Sequence, residues 1–216
     1  MTIEIAAFRW APPAAQGYVK DLRVRWALEE AALPYEAVLI DGRTRDADGY
    51  RAWQPFGQVP AYRDDDVEMF ESGAIVLHIA AKSEALAPRD TAGWARVTSW
   101  VCAAMSTVEP QVQNFNQFRG AKADEAWAWE RRSQAEARLN HRLAALSNWL
   151  GDKSFLETRF TAGDLMMATV LREVDDGLMS TFPTLIAYRE RCLARPAFGR
   201  ALEAQLETFR ENAPAQ

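Results

Sequence analysis

The feature that most restricts the fold is a change of hydrophobic period near residue 90. Before it, strand-like and helix-like patterns take turns. Ile3, Ile5 and Ala7 alternate with their neighbours as in a half-buried strand. In DLRVRWALEEAAL, the apolar residues Val24, Ala27, Leu28 and Ala31 share one helical face. Pro34 ends that pattern, and YEAVLID reads as a second strand. Residues 44–54 read as a short, irregular helix. AYR and VEMF then flank three aspartates, and an apolar helix follows. The order is βαβαββα, with a hairpin before its last helix, and it places the early strands parallel with helices on their faces. SEALAPRDT at 83–91 breaks the alternation as a linker. Beyond it every pattern is helical: 91–119 with a kink at Pro110, 123–150, 161–179, 183–194 and 196–208, with Gly120, Gly151 and Pro183 as ends. The expectation is an α/β domain over 1–82 followed by an all-α helical domain over 91–216.

The 216 residues suit one large domain or two small ones. A formal charge of -5 argues against nucleic acid as the main partner. The two cysteines, Cys102 and Cys192, are far apart and suggest neither a disulfide framework nor a zinc site. Both fall in helical patterns and read as small buried hydrophobes. No metal is expected. No apolar run reaches the roughly 18 residues needed to span a bilayer, and no secretory leader precedes IEIAAF. No membrane association is expected, and the cytoplasm is the default location.

The segment FGQVPAYRDDDVEMFESGAIVLHIA, residues 56–80, holds most of the functional signal. Pro60 lacks a backbone N–H, so its strand takes it at an edge or at its entrance. Ser72 is a favoured N-cap for the apolar helix after it. The first turn of that helix offers unpaired N–H groups and partial positive charge to an anion. Glu71 stands beside it as an acceptor for a cation. A ligand carrying both a carboxylate and an ammonium would match the pair. The plainer reading is a capped helix with a solvated acid.

A βαβαββα domain with Val-Pro entering its third strand, Glu-Ser opening its third helix, and helices behind it resembles the soluble, cytosolic-type bacterial glutathione S-transferases. QPFGQVPAY…FESGAIVLHIA is the most specific part of the likeness, and LRVRWALEEAALPYE comes next. The resemblance implies a thioredoxin-like first domain with a cis Val59–Pro60 bond, that is, the glutathione transferase fold. It implies that Val59 pairs with the cysteinyl backbone of glutathione, that Glu71 and Ser72 hold the γ-glutamyl end, and that Gln58 lies near the glycyl end.

Family members activate the glutathione thiol with a Tyr or Ser near the start of the first helix. Where they carry Ser-Pro-Phe or Cys-Pro-Phe, the active side chain stands six residues before the Val of an Arg-Val-Arg run. Here that position is Tyr18. Asp21, three residues before Val24, is anionic and cannot donate to a thiolate. The loop from Phe8 to Tyr18 is longer than the family pattern. Tyr18 as a helix-start packing residue, or a backbone N–H of residues 14–18 as the donor, are the other readings. No cysteine precedes residue 102, which argues against the thiol-exchange and Ser-Ser-Cys isomerase branches. His78 reads as a surface or interface residue, and His141 as solvated.

By the same resemblance a hydrophobic electrophile meets Trp10, Met105, Val108 and Phe115. Helical spacing of Met105, Val108, Val112 and Phe115 more often means a core than a pocket. Trp127 and Trp129 suit helix packing or a dimer face. Thr161 and Asp164 form a Thr-x-x-Asp capping box, flanked by a Phe160–Leu165 staple, and hold fold rather than chemistry. The whole points to a homodimeric detoxification transferase that uses glutathione as co-substrate. A glutathione-dependent peroxidase, or a non-catalytic glutathione-binding scaffold, are the alternatives.

Overall fold

The computed structural model describes residues 2–118 and 126–214. Contacts divide the chain into two compact units. The first runs to Arg89 and takes in the chain from Ala194 onward; the second is Asp90–Leu193. This differs from the expected boundary of 1–82 and 91–216, because the last helix packs with the first unit. The linker is also more than a tether. Leu86 and Ala87 are buried, and Asp90 caps the next helix by accepting from the Gly93 N–H at 2.8 Å.

The first unit begins β1 (Glu4–Phe8), α1 (Asp21–Ala31), β2 (Glu36–Ile40), α2 (Asp48–Trp53), β3 (Ala61–Arg63), β4 (Glu68–Phe70) and α3 (Ser72–Ala81). The sheet order is β2-β1-β3-β4. β1 runs parallel to β2, and β1–β3 and β3–β4 are antiparallel. This is the expected βαβαββα order and the thioredoxin-like mixed sheet. Antiparallel pairing of Ile5 with Tyr62 and of Ala61 with Phe70 has a positional consequence. The exit of β1, the entrance of β3 and the exit of β4 all fall at one end of the sheet.

At the other end the aspartates close the hairpin. The Asp64 side chain accepts from the N–H groups of Asp66 and Val67 at 2.9 and 3.0 Å. It also takes the Tyr62 hydroxyl at 2.8 Å, His78 Nε2 at 3.3 Å and the Lys82 ammonium.

The second unit holds α4 (Thr91–Ala103), α5 (Glu109–Asn116), α6 (Ala126–Leu150), α7 (Ala162–Leu171), α8 (Asp176–Met179) and α9 (Pro183–Leu193). The helix expected over 91–119 is interrupted by a wide π turn at Ala104–Val108. Pro110 would clash with a carbonyl one turn back in a continuous helix. It sits instead in the first turn of α5, where its missing N–H costs nothing. The helix expected over 161–179 is two helices. Asp175 accepts from the N–H groups of Gly177 and Leu178 and starts α8 afresh. Gly120 and the first residues of the helix expected from 123 lie outside the described residues. All ten residues of α7 are buried, as an apolar central helix requires. It lies close to α4, since a Cβ on Gly163 would come within 2.6 Å of Trp100 Cβ. Cys192 is buried, but Cys102 is exposed, contrary to expectation, because it faces outward from α4. Trp127 and Trp129 are exposed, at 47% and 69%.

The last helix, α10 (Pro196–Glu211), lies along α1 in the first unit. Trp26 is fully buried and meets Phe198 edge-on at 4.9 Å. Arg195 grips Glu30 through two bonds of 2.6 and 2.7 Å. Burial of a side chain as large as Trp26 contributes about 2–3 kcal/mol.

Candidate functional site

The β3–β4 register assembles the site. Pro60 and Glu71 stand one residue beyond the last paired rung, Ala61 with Phe70, and Val59 and Ser72 one further. The Val59–Pro60 peptide bond is cis. Neither the N–H nor the C=O of Val59 is hydrogen-bonded to another described residue. Its side chain is buried among Ala6, Ile40, Tyr50, Trp53 and Ala61, with Phe8 and Val19 packed alongside. Val59 therefore offers a fixed, unpaired backbone edge beside the loop that leaves β1.

The approach to Val59 is built by side chains that sequence reasoning missed. The Tyr50 hydroxyl donates to the Gln58 carbonyl at 2.5 Å. Burial pushes that hydroxyl up to about 12, so it stays a donor at neutral pH. The Gln54 side chain accepts from the Phe56 N–H at 2.7 Å, and Arg51 reaches the Pro55 carbonyl at 2.8 Å. Gly57 turns at φ 62, and a Cβ there would meet Arg51 Cζ at 2.8 Å. Glycine is the residue that fits this turn.

The helix mouth differs from the sequence expectation. Ser72 is the first residue of α3 rather than its N-cap, and Glu71 occupies the cap position with φ 72 and ψ 112. That positive φ is uncommon for a residue with a side chain and is held by its surroundings. Its effect is to leave the mouth open. No side chain caps α3, and the N–H groups of Ser72, Gly73 and Ala74 donate to no described residue. The Ser72 hydroxyl, buried at 4 % exposure, receives Arg23 Nη1 at 3.4 Å. Arg23 is itself buried in α1, so a fixed cation backs the mouth. The Glu71 side chain is exposed in front of it. An anion is favoured at such a mouth by the free N–H groups, the helix dipole and a neighbouring cation together.

Tyr18 lies in the turn before α1 and is about half exposed. Its neighbour Val19 packs in the cluster that holds Val59. Topology thus brings the loop around Tyr18 to the same sheet end as Val59 and Ser72. Asp21 is fully buried and bonded to Arg25 at 2.8 Å, and burial pushes its carboxyl up against the pull of that arginine. It serves the fold.

The residues expected to meet an electrophile fare differently. Trp10 is exposed on the loop after β1. In the helical unit Val108 and Phe115 are buried at 5 % and 2 % exposure, which favours their core reading, and Arg132 lies over the Phe115 ring at 5.6 Å. Met105 is half-buried in the π turn.

The Thr161–Asp164 box forms as expected. Asp164 accepts from the Thr161 N–H at 2.9 Å and hydroxyl at 3.1 Å. It also accepts from the Leu156 N–H at 2.8 Å and the Tyr188 hydroxyl at 3.0 Å.

Residues 22–87 match the family model of the glutathione S-transferase N-terminal domain. The chain is 30% identical over 201 residues to glutathione S-transferase 3 of Zea mays, across 85% of this chain and 88% of the maize protein. It is 28% identical over 195 residues to the disulfide-bond oxidoreductase YfcG of Escherichia coli (strain K12), across 83% and 88%. Among solved structures, the theta class glutathione S-transferase from Xanthomonas axonopodis pv. citri with glutathione bound superposes with a TM-score of 0.73 at 26% identity, covering 93% and 96% of the chains. Glutathione transferase F2 from Populus trichocarpa shares the fold, with a TM-score of 0.80 at 20% identity over 95% and 99%. A thioredoxin-like sheet with Val-Pro at its open end, the matching N-terminal family model, and a relative at 30% identity across 85% of this chain lead to one conclusion: this chain belongs to the glutathione S-transferase family.

Proposed function

We propose that the chain binds glutathione at the open end of the β3–β4 hairpin and delivers its thiolate to an electrophilic carbon of a hydrophobic compound. One observation carries this reading: an unpaired Val59 backbone beside a helix mouth whose first three N–H groups are unengaged. The cysteinyl backbone of glutathione pairs with Val59. Its γ-glutamyl carboxylate sits on the amides of α3 and the Ser72 hydroxyl, and its ammonium on Glu71. The Gln58 segment, pinned by Tyr50, meets the glycyl end.

The thiol of glutathione has an ordinary pKa of about 8.5, so a few per cent is thiolate at neutral pH. A hydroxyl donated by Tyr18, or an amide of its loop, stabilises the sulfur anion. Lowering the pKa by one to two units requires about 1.4–2.8 kcal/mol, which a hydrogen bond to an anion supplies. The thiolate then forms the carbon–sulfur bond, and the leaving group departs with its electron pair. Holding both reactants close provides the rest. Trp10, exposed on the same loop, is our assignment for contact with the electrophile. Phe56, exposed and edge-on to Phe70 at 5.9 Å, is our assignment for the face of a homodimer.

A second reading draws on the likeness to the disulfide-bond oxidoreductase YfcG: the same thiolate would attack a disulfide sulfur and expel the other sulfur as a thiolate. As a peroxidase, it would attack a peroxide oxygen and expel hydroxide. In either case a second glutathione would then displace the product as glutathione disulfide. The products separate the two, a thioether in one case and oxidised glutathione in the other. The test of the main reading is a pH titration of the thiolate absorbance of bound glutathione. A pKa well below that of free glutathione is expected, and Tyr18→Phe should raise it. An unshifted pKa in the unmodified protein leaves a binder, not a catalyst.

A further inference from the structure

α10 presents the stripe Phe198, Ala201, Gln205 and Phe209 to the first unit, and all four are buried. A glutamine in the middle of an apolar stripe is out of place unless its amide is bonded. Here it is bonded, and every partner lies in one stretch far away in sequence. Gln205 Oε1 accepts from the Gly17 N–H at 3.1 Å. Its Nε2 donates to the Val19 carbonyl at 3.1 Å and to Asp21 Oδ1 at 2.6 Å. The acceptor faces a donor and both amide hydrogens face acceptors, so the orientation of the side chain is fixed. Gly17, at φ 81, turns the chain so that its N–H meets that oxygen.

The two residues held by backbone, Gly17 and Val19, flank Tyr18. The Tyr18 ring is about half exposed, so burial of the ring does not define where its backbone runs. Asp21, the third partner, opens α1 and is tied to Arg25. One side chain thereby links the loop to the first turn of α1. A leucine or methionine would fill the same volume without touching these groups.

We propose that Gln205 is a positioning residue for thiol activation: by holding Gly17, Val19 and Asp21 it sets where the Tyr18 hydroxyl and the loop amides meet the glutathione sulfur. The proposal rests on the reading of this unit as a glutathione site, but not on which of the two donors acts. It gives the C-terminal helix a part in chemistry carried by the opposite end of the chain.

The test is Gln205→Met, with two readouts on the full chain: glutathione affinity and the pKa of the bound thiol. Affinity should stay within about threefold, because Val59, Glu71 and Ser72 are untouched, while the pKa of the bound thiol rises by about one unit, a roughly three- to eightfold loss of thiolate at pH 7. A folded variant with an unchanged bound-thiol pKa overturns the proposal, and so does one that loses affinity and activation together. A second measurement needs no variant. In the unmodified protein the Gly17 amide should exchange with solvent as slowly as the amides inside α1, and fast exchange overturns the proposal even if Gln205→Met fails to fold. Tyr18→Phe keeps the two ideas separable. If it leaves the pKa unmoved while Gln205→Met raises it, the Tyr18 assignment fails and the Gln205 role stands with a loop amide as donor. The reverse pattern removes Gln205 and keeps Tyr18.

Discussion

Two helix mouths in this molecule start from similar residues and end in opposite states. α7 opens with Thr161 and Asp164, and α3 opens with Glu71 and Ser72. At α7 the threonine is the cap, the acid reaches back to its N–H, and Leu156 and Tyr188 add further bonds to the same carboxylate. The Thr161 hydroxyl takes the Asp164 N–H in return, and the mouth is buried under the protein's own side chains. At α3 the acid takes the cap position with a positive φ, its side chain turns outward, and three N–H groups stay unengaged. An acid and a hydroxyl at a helix start are therefore not enough to say whether the mouth is structural or receptive. The backbone angle of the cap residue decides, because it determines whether the side chain can fold back over the N–H groups.

The largest expected effect belongs to the closed mouth. Asp164→Ala should cost about 3–5 kcal/mol, since it removes a cap and strands buried donors at Leu156, Thr161 and Tyr188. Chemical denaturation measures this, and a loss below 1 kcal/mol would put the two mouths on equal footing. At the far end of the hairpin, Asp64→Asn should cost about 2–3 kcal/mol at neutral pH. Burial alone would raise the Asp64 carboxyl. The Lys82 ammonium, the Asp66 amide, the Tyr62 hydroxyl and His78 outweigh it and hold the group well below the usual range. A depressed folded value means that this stability is present above the unfolded value of about 4 and is lost as pH falls through the folded one. The melting-temperature gap between the two proteins should hold steady above about pH 5 and narrow below about pH 4. A gap that widens in acid refutes the assignment.

At the open mouth the balance reverses. Glu71→Gln should weaken glutathione binding about ten- to hundredfold, or 1.4–2.8 kcal/mol, with little change in stability. Calorimetric titration checks it. The smallest effect is the sharpest contrast: Glu71→Gly should raise stability by about 1 kcal/mol while lowering affinity, because glycine accepts a positive φ without a side-chain clash. A destabilised Glu71→Gly would mean that Glu71 is held by contacts important to the fold.

These contrasts also explain what could be read from residues alone. The Thr161–Asp164 box was legible because both partners lie within one turn and bond each other. The order of strands and helices was legible from alternating periods, and the likeness of one continuous segment pointed to Val59, Glu71 and Ser72, which the β3–β4 register places at one end of the sheet. The cap of α3 was misplaced by one residue because the φ of Glu71 has no local signature in a residue that is not glycine. Tyr50 was missed because its partner, Gln58, lies across a loop whose path no periodicity predicts, and Gln54 because its bond to the Phe56 N–H, two residues on, forms only in the turn which that loop makes. Gln205 was missed for a stronger reason: its partners lie more than 180 residues away. The stripe on α10 announces a buried face but does not say which unit covers it, and the expected domain boundary missed that helix for the same reason.

Backbone amide shifts followed while unlabelled glutathione is added to the isotopically labelled protein test the central claim most directly. The largest shifts are predicted at Val59, Ser72, Gly73 and Ala74, with Ala162 and Gly163 at the closed mouth unmoved. Saturable glutathione binding that leaves the first four amides unchanged would contradict the account.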